Sequence, residues 1–286
     1  MRNPAPPAAE KLDTRTPPST RSLLLRFASA LILIPLVVGA IYIGGWVFAV
    51  LAALSCLTMI FEWTRMVERR EFSASFFALA VGAVLALFTA TVGAYGAAFV
   101  IALISAIAAF VLARRDARLG LWSAFAAPYL IAPCIALIWL RLSTGYGLEL
   151  TLILFVTVWA ADSGAFLFGK AIGGPKINYA LSPSKTWAGI GGGIFGGAVI
   201  GGVAGFVLIG GEAVLLSLLA GAALGAASVV GDLAESAFKR NFGLKDISGF
   251  IPGHGGALDR LDGMIFATAA MTGGYFLYML LTKVPG

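Results

Sequence analysis

Apolar residues in this chain come in blocks long enough to cross a hydrocarbon layer of about 30 Å, a distance that takes roughly 20 helical residues. The blocks lie near residues 26 to 43, 46 to 62, 75 to 93, 95 to 112, 121 to 140, 148 to 168, 188 to 209, 213 to 231 and 263 to 282. An open sheet would leave backbone groups unpaired in lipid, so these blocks predict helices. The expected fold is all-α: a polytopic integral membrane protein of about nine transmembrane helices. Between the first two blocks stands only Gly44-Gly45, and a glycine pair followed by Trp46 suits a tight interfacial turn.

The block from 188 to 209 carries Gly189, Gly193, Gly197, Gly201 and Gly205, a glycine at every fourth position and so along one helical face. Such a face lets another helix approach closely. A phosphate or dinucleotide loop is the sharper reading of GIGGGIFGG, but no strand is expected before it and the pattern continues across the membrane. Just upstream, SPSKT (Ser182 to Thr186) echoes the end of a Walker A loop while lacking the glycine before the lysine and the preceding strand.

Composition agrees with the pattern. Of 286 residues, 59% are hydrophobic and only 12% charged, with a mean hydropathy of +0.94; a soluble core of this size could not use so much apolar surface. The two cysteines, Cys56 and Cys134, fall inside predicted spans. They read as small apolar fillers, not as a disulfide or a zinc site.

Charge supplies the orientation. With the N-terminus cytosolic and the C-terminus outside, every one of the 20 basic residues except Arg141 and Lys283 falls on the cytosolic side, where positive residues are retained. The net charge of +6 is then topology plus attraction to anionic membrane lipids, and no nucleic-acid partner is expected. Residues 1–25, rich in Pro, Ala, Thr and Ser, read as a disordered cytosolic tail and not as a signal peptide. Residues 26–140 are expected to form N-terminal transmembrane helices, and 141–286 a C-terminal transmembrane catalytic region. A bacterial inner membrane is the expected location.

Carboxylates are costly in a bilayer and are seldom kept there without a use. Here Asp162 lies near the cytosolic end of the sixth span, Asp232 and Glu235 at that of the eighth, and Asp259 and Asp262 at the start of the ninth. The stretch from 232 to 262, read as a loop, adds Lys239, Arg240, Lys245, Arg260 and the single histidine, His254. Asp259 and Asp262 are three apart and share a helical face. Hard oxygens at that spacing suit Mg²⁺, which takes one or two carboxylates and fills its other positions with water and substrate phosphates. The cations can neutralise phosphate oxygens, and Gly255 and Gly256 leave N–H groups at a helix N-terminus, a favourable place for phosphate. His254 can act as a general base, cap a helix or donate to phosphate; with two distant cysteines it makes no zinc site.

The stretch from Ser236 to Asp262 resembles the signature of the phosphatidate cytidylyltransferases, also called CDP-diacylglycerol synthases. Ser236, Phe238, Lys239, Arg240, Lys245, Asp246, Ser248, Pro252, His254, Gly255, Gly256, Asp259, Arg260, Leu261 and Asp262 stand in register with it. Upstream, Asp162 is similar to the family's acidic helix end, and Ser182, Pro183, Lys185, Thr186, Trp187 and Gly189 to its S-P-x-K-T-W-x-G segment. Ala257 and Ala188 depart from it, the first replacing a larger apolar residue and the second a frequent Glu.

The resemblance implies conversion of CTP and phosphatidate to CDP-diacylglycerol and pyrophosphate, with Mg²⁺ required, and often a homodimer. On that reading Asp232 and Asp259 are the leading metal ligands, with Asp262 and Asp162 as further ones. Lys185, Lys239, Arg240, Lys245 and Arg260 contact phosphate; Ser182, Ser184 and Thr186 can donate hydroxyls; His254 moves from proton transfer to binding. Three other readings compete. They are a CTP-dependent lipid kinase, an enzyme consuming CDP-diacylglycerol and a transporter. The second is disfavoured because Asp262-Gly263 is not followed by the expected Arg, the third because the acids gather at one surface instead of the midplane.

Overall fold

The computed structural model describes residues 20–114, 116–178, 182–210, 214–244 and 256–282. The tail assigned to residues 1–25 lies outside them up to residue 19, and helix α1 (Thr20–Ile43) begins at Thr20. Then follow α2 (Gly45–Glu68), α3 (Ala74–Thr91) and α4 (Tyr95–Ala113). Helices α5 (Ala117–Ala126) and α6 (Ala132–Ser143) form one rod, and α7 (Gly147–Ala171) the next. After the strands β1 (Lys176–Asn178) and β2 (Ser182–Thr186), α8 (Trp187–Gly196) and α9 (Gly202–Ile209) form another rod, followed by α10 (Val214–Asn241) and α11 (Leu258–Thr282). Among the described residues this gives nine helical rods. Eight are long and apolar enough to cross a membrane, and α1 contributes the shorter apolar segment Leu31–Ile43. Large apolar side chains such as Leu103, Ile104, Ile107, Leu215 and Leu216 lie exposed on the outer faces, as a lipid solvent requires.

Local chemistry sets the helix ends. Gly44 and Gly45 both have positive φ, which turns α1 into α2 as expected. Arg141 closes that turn: Nε donates to the Ile41 carbonyl at 2.7 Å and a terminal nitrogen to Tyr42 at 3.2 Å. A cation there satisfies carbonyls that the end of α1 leaves unpaired, which accounts for an arginine at the end of the bundle away from the other described cations. Between α5 and α6 the chain widens into a π turn at Ala127–Ile131. Pro133 explains it, since its ring would collide with the carbonyl four residues earlier in a regular helix.

The glycine face serves two neighbours instead of one. A Cβ on Gly193 would sit 3.3 Å from the Ala161 carbonyl of α7 and 2.9 Å from Val229 of α10; one on Gly197 would sit 2.8 Å from the Gly221 carbonyl and the Gly225 Cα of α10. A second π turn, Gly197–Gly201, lies within this contact. Cys56 and Cys134 are both free and buried.

Two sequence expectations are corrected. The stretch from 232 to 241 is not a loop but the last turns of α10, and Leu258 already opens α11. Hydropathy falls after residue 231, yet Ala, Glu, Lys and Arg are good helix formers and Glu235–Lys239 is an i,i+4 pair. The helix stops at Gly243, φ 67°, where Gly243 N–H donates to Arg240 and Leu244 N–H to Lys239 in a Schellman pattern. No strand is expected before the glycine block either, yet SPSKT is strand β2, antiparallel to β1 with Lys176 opposite Thr186.

Candidate active site

Acids and cations gather at one end of the bundle because α10 and α11 pack almost backbone to backbone. A Cβ on Gly231 would lie 2.9 Å from both the Asp262 carbonyl carbon and the Gly263 Cα, and one on Gly263 would lie 3.3 Å from Asp232 Oδ1 and closer still to Ser228 Oγ. The missing side chains put Asp232, Ser228 and Asp262 side by side. Asp262 is buried, its Oδ1 accepting the Gly263 N–H at 2.8 Å. From β2, Lys185 brings its Nζ to 3.6 Å from Asp232 Oδ2, both side chains about 28–29% exposed. Asp162, exposed on α7, interacts electrostatically with Asp232, Lys185 and Arg260.

One turn further along, Lys239 bridges two acids. Its Nζ is 2.8 Å from Glu235 Oε2 and 3.0 Å from Asp259 Oδ1. Asp259 Oδ2 accepts the Gly256 N–H at 3.4 Å, so both of its oxygens are engaged, whereas among the described residues the Asp232 carboxylate has only the longer contact with Lys185. Exposed Arg240 donates to the Leu244 carbonyl at 3.4 Å, and Arg260 is exposed on α11. Ser236 Oγ donates back to the Asp232 carbonyl at 2.9 Å. Ser182 and Ser184 lie in β2. Thr186 is buried and caps α8, its Oγ1 accepting the Gly189 N–H at 3.1 Å, so its hydroxyl has a structural task. Lys245, Asp246, Ser248, Pro252, His254 and Gly255 lie outside the described residues.

The N-terminus of α11 is filled by protein. Glu62 of α2, completely buried, accepts the Ala257 N–H at 3.0 Å on Oε1 and the Leu258 N–H at 2.8 Å on Oε2. Phosphate at Gly255, Gly256 and the helix start is the expectation from the sequence; here the Gly256, Ala257 and Leu258 amides face the carboxylates of Asp259 and Glu62. Glu62 and Glu235 were not among the sequence's site residues. The available signal was an acid inside an apolar block, since Glu62 is the one carboxylate in 46 to 62.

Among the described residues no group of three or more His, Cys, Asp or Glu side chains is placed to hold a metal. The site does contain Ser228 Oγ, Glu235 Oε1 and Tyr129 Oη, all buried without a hydrogen-bond partner among the described residues, and Tyr129 interacts electrostatically with Asp262, Glu235 and Asp232. Buried polar atoms left without partners are rare and costly. Three such atoms, one of them on Glu235 itself, beside Asp232 and Asp262 mark a place built to receive further polar groups. A ring of aromatics closes it from the core, with Tyr129 5.1 Å from Trp63 and 5.2 Å from Phe238.

A helical bundle of this length and hydropathy, with acids and cations gathered at one end, defines an integral membrane protein. The chain belongs to the cytidylyltransferase family, whose model matches residues 24–280. It is 34% identical over 262 residues to the phosphatidate cytidylyltransferase of Brucella suis biovar 1, a match covering 87% of this chain and 92% of that protein. Against the enzyme of the same name from Synechocystis sp. it is 29% identical over 291 residues, covering 90% and 97%. The match to the Haemophilus influenzae phosphatidate cytidylyltransferase is 41% over 140 residues, 48% of each chain. This membership makes the protein a nucleotidyltransferase.

Proposed function

We propose that the protein joins CTP to phosphatidate, giving CDP-diacylglycerol and pyrophosphate, in phospholipid synthesis at a bacterial inner membrane with its site facing the cytosol. The convergence of Lys185, Asp232, Lys239 and Asp259 from β2, α10 and α11 carries this reading. Relatives bearing that activity's name cover almost the whole chain. The described cations at this end of the bundle support the cytosolic orientation.

In the reaction an oxygen of the lipid phosphate attacks the α-phosphorus of CTP. One P–O bond forms, the bond to the β-phosphate breaks, and pyrophosphate leaves with the electron pair. The nucleophile is already anionic at neutral pH, so no strong base is required. The barrier is charge repulsion and alignment, which fixed cations relieve. Lys185 and Arg260, which both interact with Asp162, and Lys239, held between Glu235 and Asp259, would contact phosphate oxygens together with Arg240 and Lys245. Ser182, Ser184 and His254 would supply further hydrogen bonds to substrate.

The oxygen donors fit Mg²⁺, because Asp232 and Asp262 lie beside the unpartnered Ser228 Oγ, and Mg²⁺ binds through few carboxylates plus substrate phosphates. Asp232 and Asp259 would be its main ligands, Asp259 in exchange for Lys239, with Asp262 and Asp162 beside them. Bound there, it would neutralise charge on the triphosphate. For the lipid, an apolar cleft lined by Met59, Phe155, Leu261, Met264 and Ile265 lies along α11 and supports lateral access for an acyl chain.

The choice of nucleophile gives the test. Purified protein in nanodiscs should release pyrophosphate from CTP when given phosphatidate and none when given diacylglycerol, which offers a hydroxyl instead. Release of CDP with either lipid would mean γ-phosphoryl transfer and contradict the proposal.

A further inference from the structure

We infer that Glu62 is a positioning residue for the transfer site: it fixes where α11 begins and therefore where Asp259 and Asp262 stand. The first-turn amides of a helix have no carbonyl of their own helix to bond. In α11 the Ala257 and Leu258 amides are satisfied by the two oxygens of one side chain from α2, 195 and 196 residues earlier in the chain. A carboxylate is the group that the positive end of a helix dipole favours, and this one is wholly removed from solvent.

The signature glycine before α11 belongs to the same device. A Cβ on Gly256 would meet Glu62 Oε2 at 2.8 Å and Oε1 at 2.9 Å, so a side chain there would push the carboxylate off the amides. Gly256 N–H in turn faces Asp259 Oδ2. Glu62 thus holds the backbone at 257 and 258, Gly256 lets it approach, Asp259 lies one residue further on, and Asp262 one turn beyond. Side chains on a helix inherit its axial position and rotation, and misplacement by about 1 Å can cost on the order of 10²-fold in rate.

Docking of α2 does not depend on this contact. The next residue, Trp63, is fully buried, donates from Nε1 to the Trp122 carbonyl at 2.9 Å and packs on Phe238 of α10. Loss of the carboxylate should therefore loosen the start of α11 and leave the bundle assembled.

The activity arm of the test rests on the reaction proposed above; the exchange arm does not. Amide hydrogen exchange by mass spectrometry is compared for wild type, Glu62→Ala and Glu62→Gln in nanodiscs. In Glu62→Ala the peptide containing Ala257 and Leu258 should exchange at least about tenfold faster while peptides from α3 and α4 do not change. Glu62→Gln, which keeps one acceptor oxygen, should fall between. In parallel, kcat should drop on the order of 10- to 100-fold in Glu62→Ala with KM for CTP within about threefold, and Glu62→Gln should recover part of kcat. Unchanged exchange at 257–258, acceleration across all helices alike, or wild-type kcat in Glu62→Ala would each overturn the inference. A wild-type protein without transferase turnover would instead refute the reaction, and the exchange result alone would then decide the role of Glu62.

Discussion

Asp232→Asn should lose cytidylyl transfer by at least about 10²-fold while the protein keeps its fold and its thermal stability in detergent. The expectation comes from what Asp232 does and does not touch. Among the described residues its carboxylate makes one salt-bridge contact, 3.6 Å to Lys185, and both groups are partly exposed; an ion pair of that kind contributes little to stability. Its position is nevertheless tightly determined by the contact of Gly231 with Asp262 and Gly263. A charged group held firmly but scarcely used by the fold is one held for a ligand. Asp259→Asn should be equally inactive but measurably less stable, by about 1 to 3 kcal/mol, because its oxygens bond Lys239 and Gly256. Turnover by purified Asp232→Asn within about threefold of wild type would remove that residue from the site.

The second large effect needs no change in charge. Gly231→Ala adds one methyl group where the Asp262 carbonyl oxygen already lies, with the Asp262 carbonyl carbon and the Gly263 Cα at 2.9 Å. Backbone atoms cannot rotate away, so α10 and α11 must separate. Overpacking of this kind costs about 1 to 3 kcal/mol, and the acids and cations shared between the two helices move with them. Activity should fall on the order of 10²-fold, with Tm lowered. Gly274→Ala, on the same helix pair's α11 but with nothing within 4 Å, should leave both rate and Tm unchanged. Equal rates for the two variants would show that the close approach of α10 and α11 is not needed for turnover.

The rods were legible because a bilayer imposes length and hydropathy together, so each apolar block lies almost wholly within one helical rod, although several rods run five to ten residues past the block. Gly44-Gly45 was readable as a turn because only a glycine pair interrupts that apolar stretch. The glycine period from Gly189 to Gly205 likewise gave close packing, although not that α7 and α10 share it. Hydropathy alone ended α10 too early, since Asp232 to Asn241 leave the apolar window while retaining helix propensity. It could not reveal that SPSKT forms a strand.

In the site, local spacing grouped Asp259 with Asp262, but the structure pairs Asp259 with Lys239 and Asp262 with the surroundings of Asp232. The bond between Glu62 and Ala257 spans 195 residues; an acid inside an apolar block marks Glu62 as unusual, but nothing in either neighbourhood names its partner. Reading Gly256 as part of an anion cradle was chemically sound about the amides, and the carboxylates that the Gly256, Ala257 and Leu258 amides meet here belong to the protein itself.

Separate labels on CTP test the central claim most directly. Wild-type protein in nanodiscs, given phosphatidate, Mg²⁺ and CTP labelled in the cytosine or in the γ-phosphate, should place the cytosine label in the lipid and an equal amount of γ label in pyrophosphate. A γ label in the lipid, or no label there in any lipid environment, would contradict cytidylyl transfer at this site.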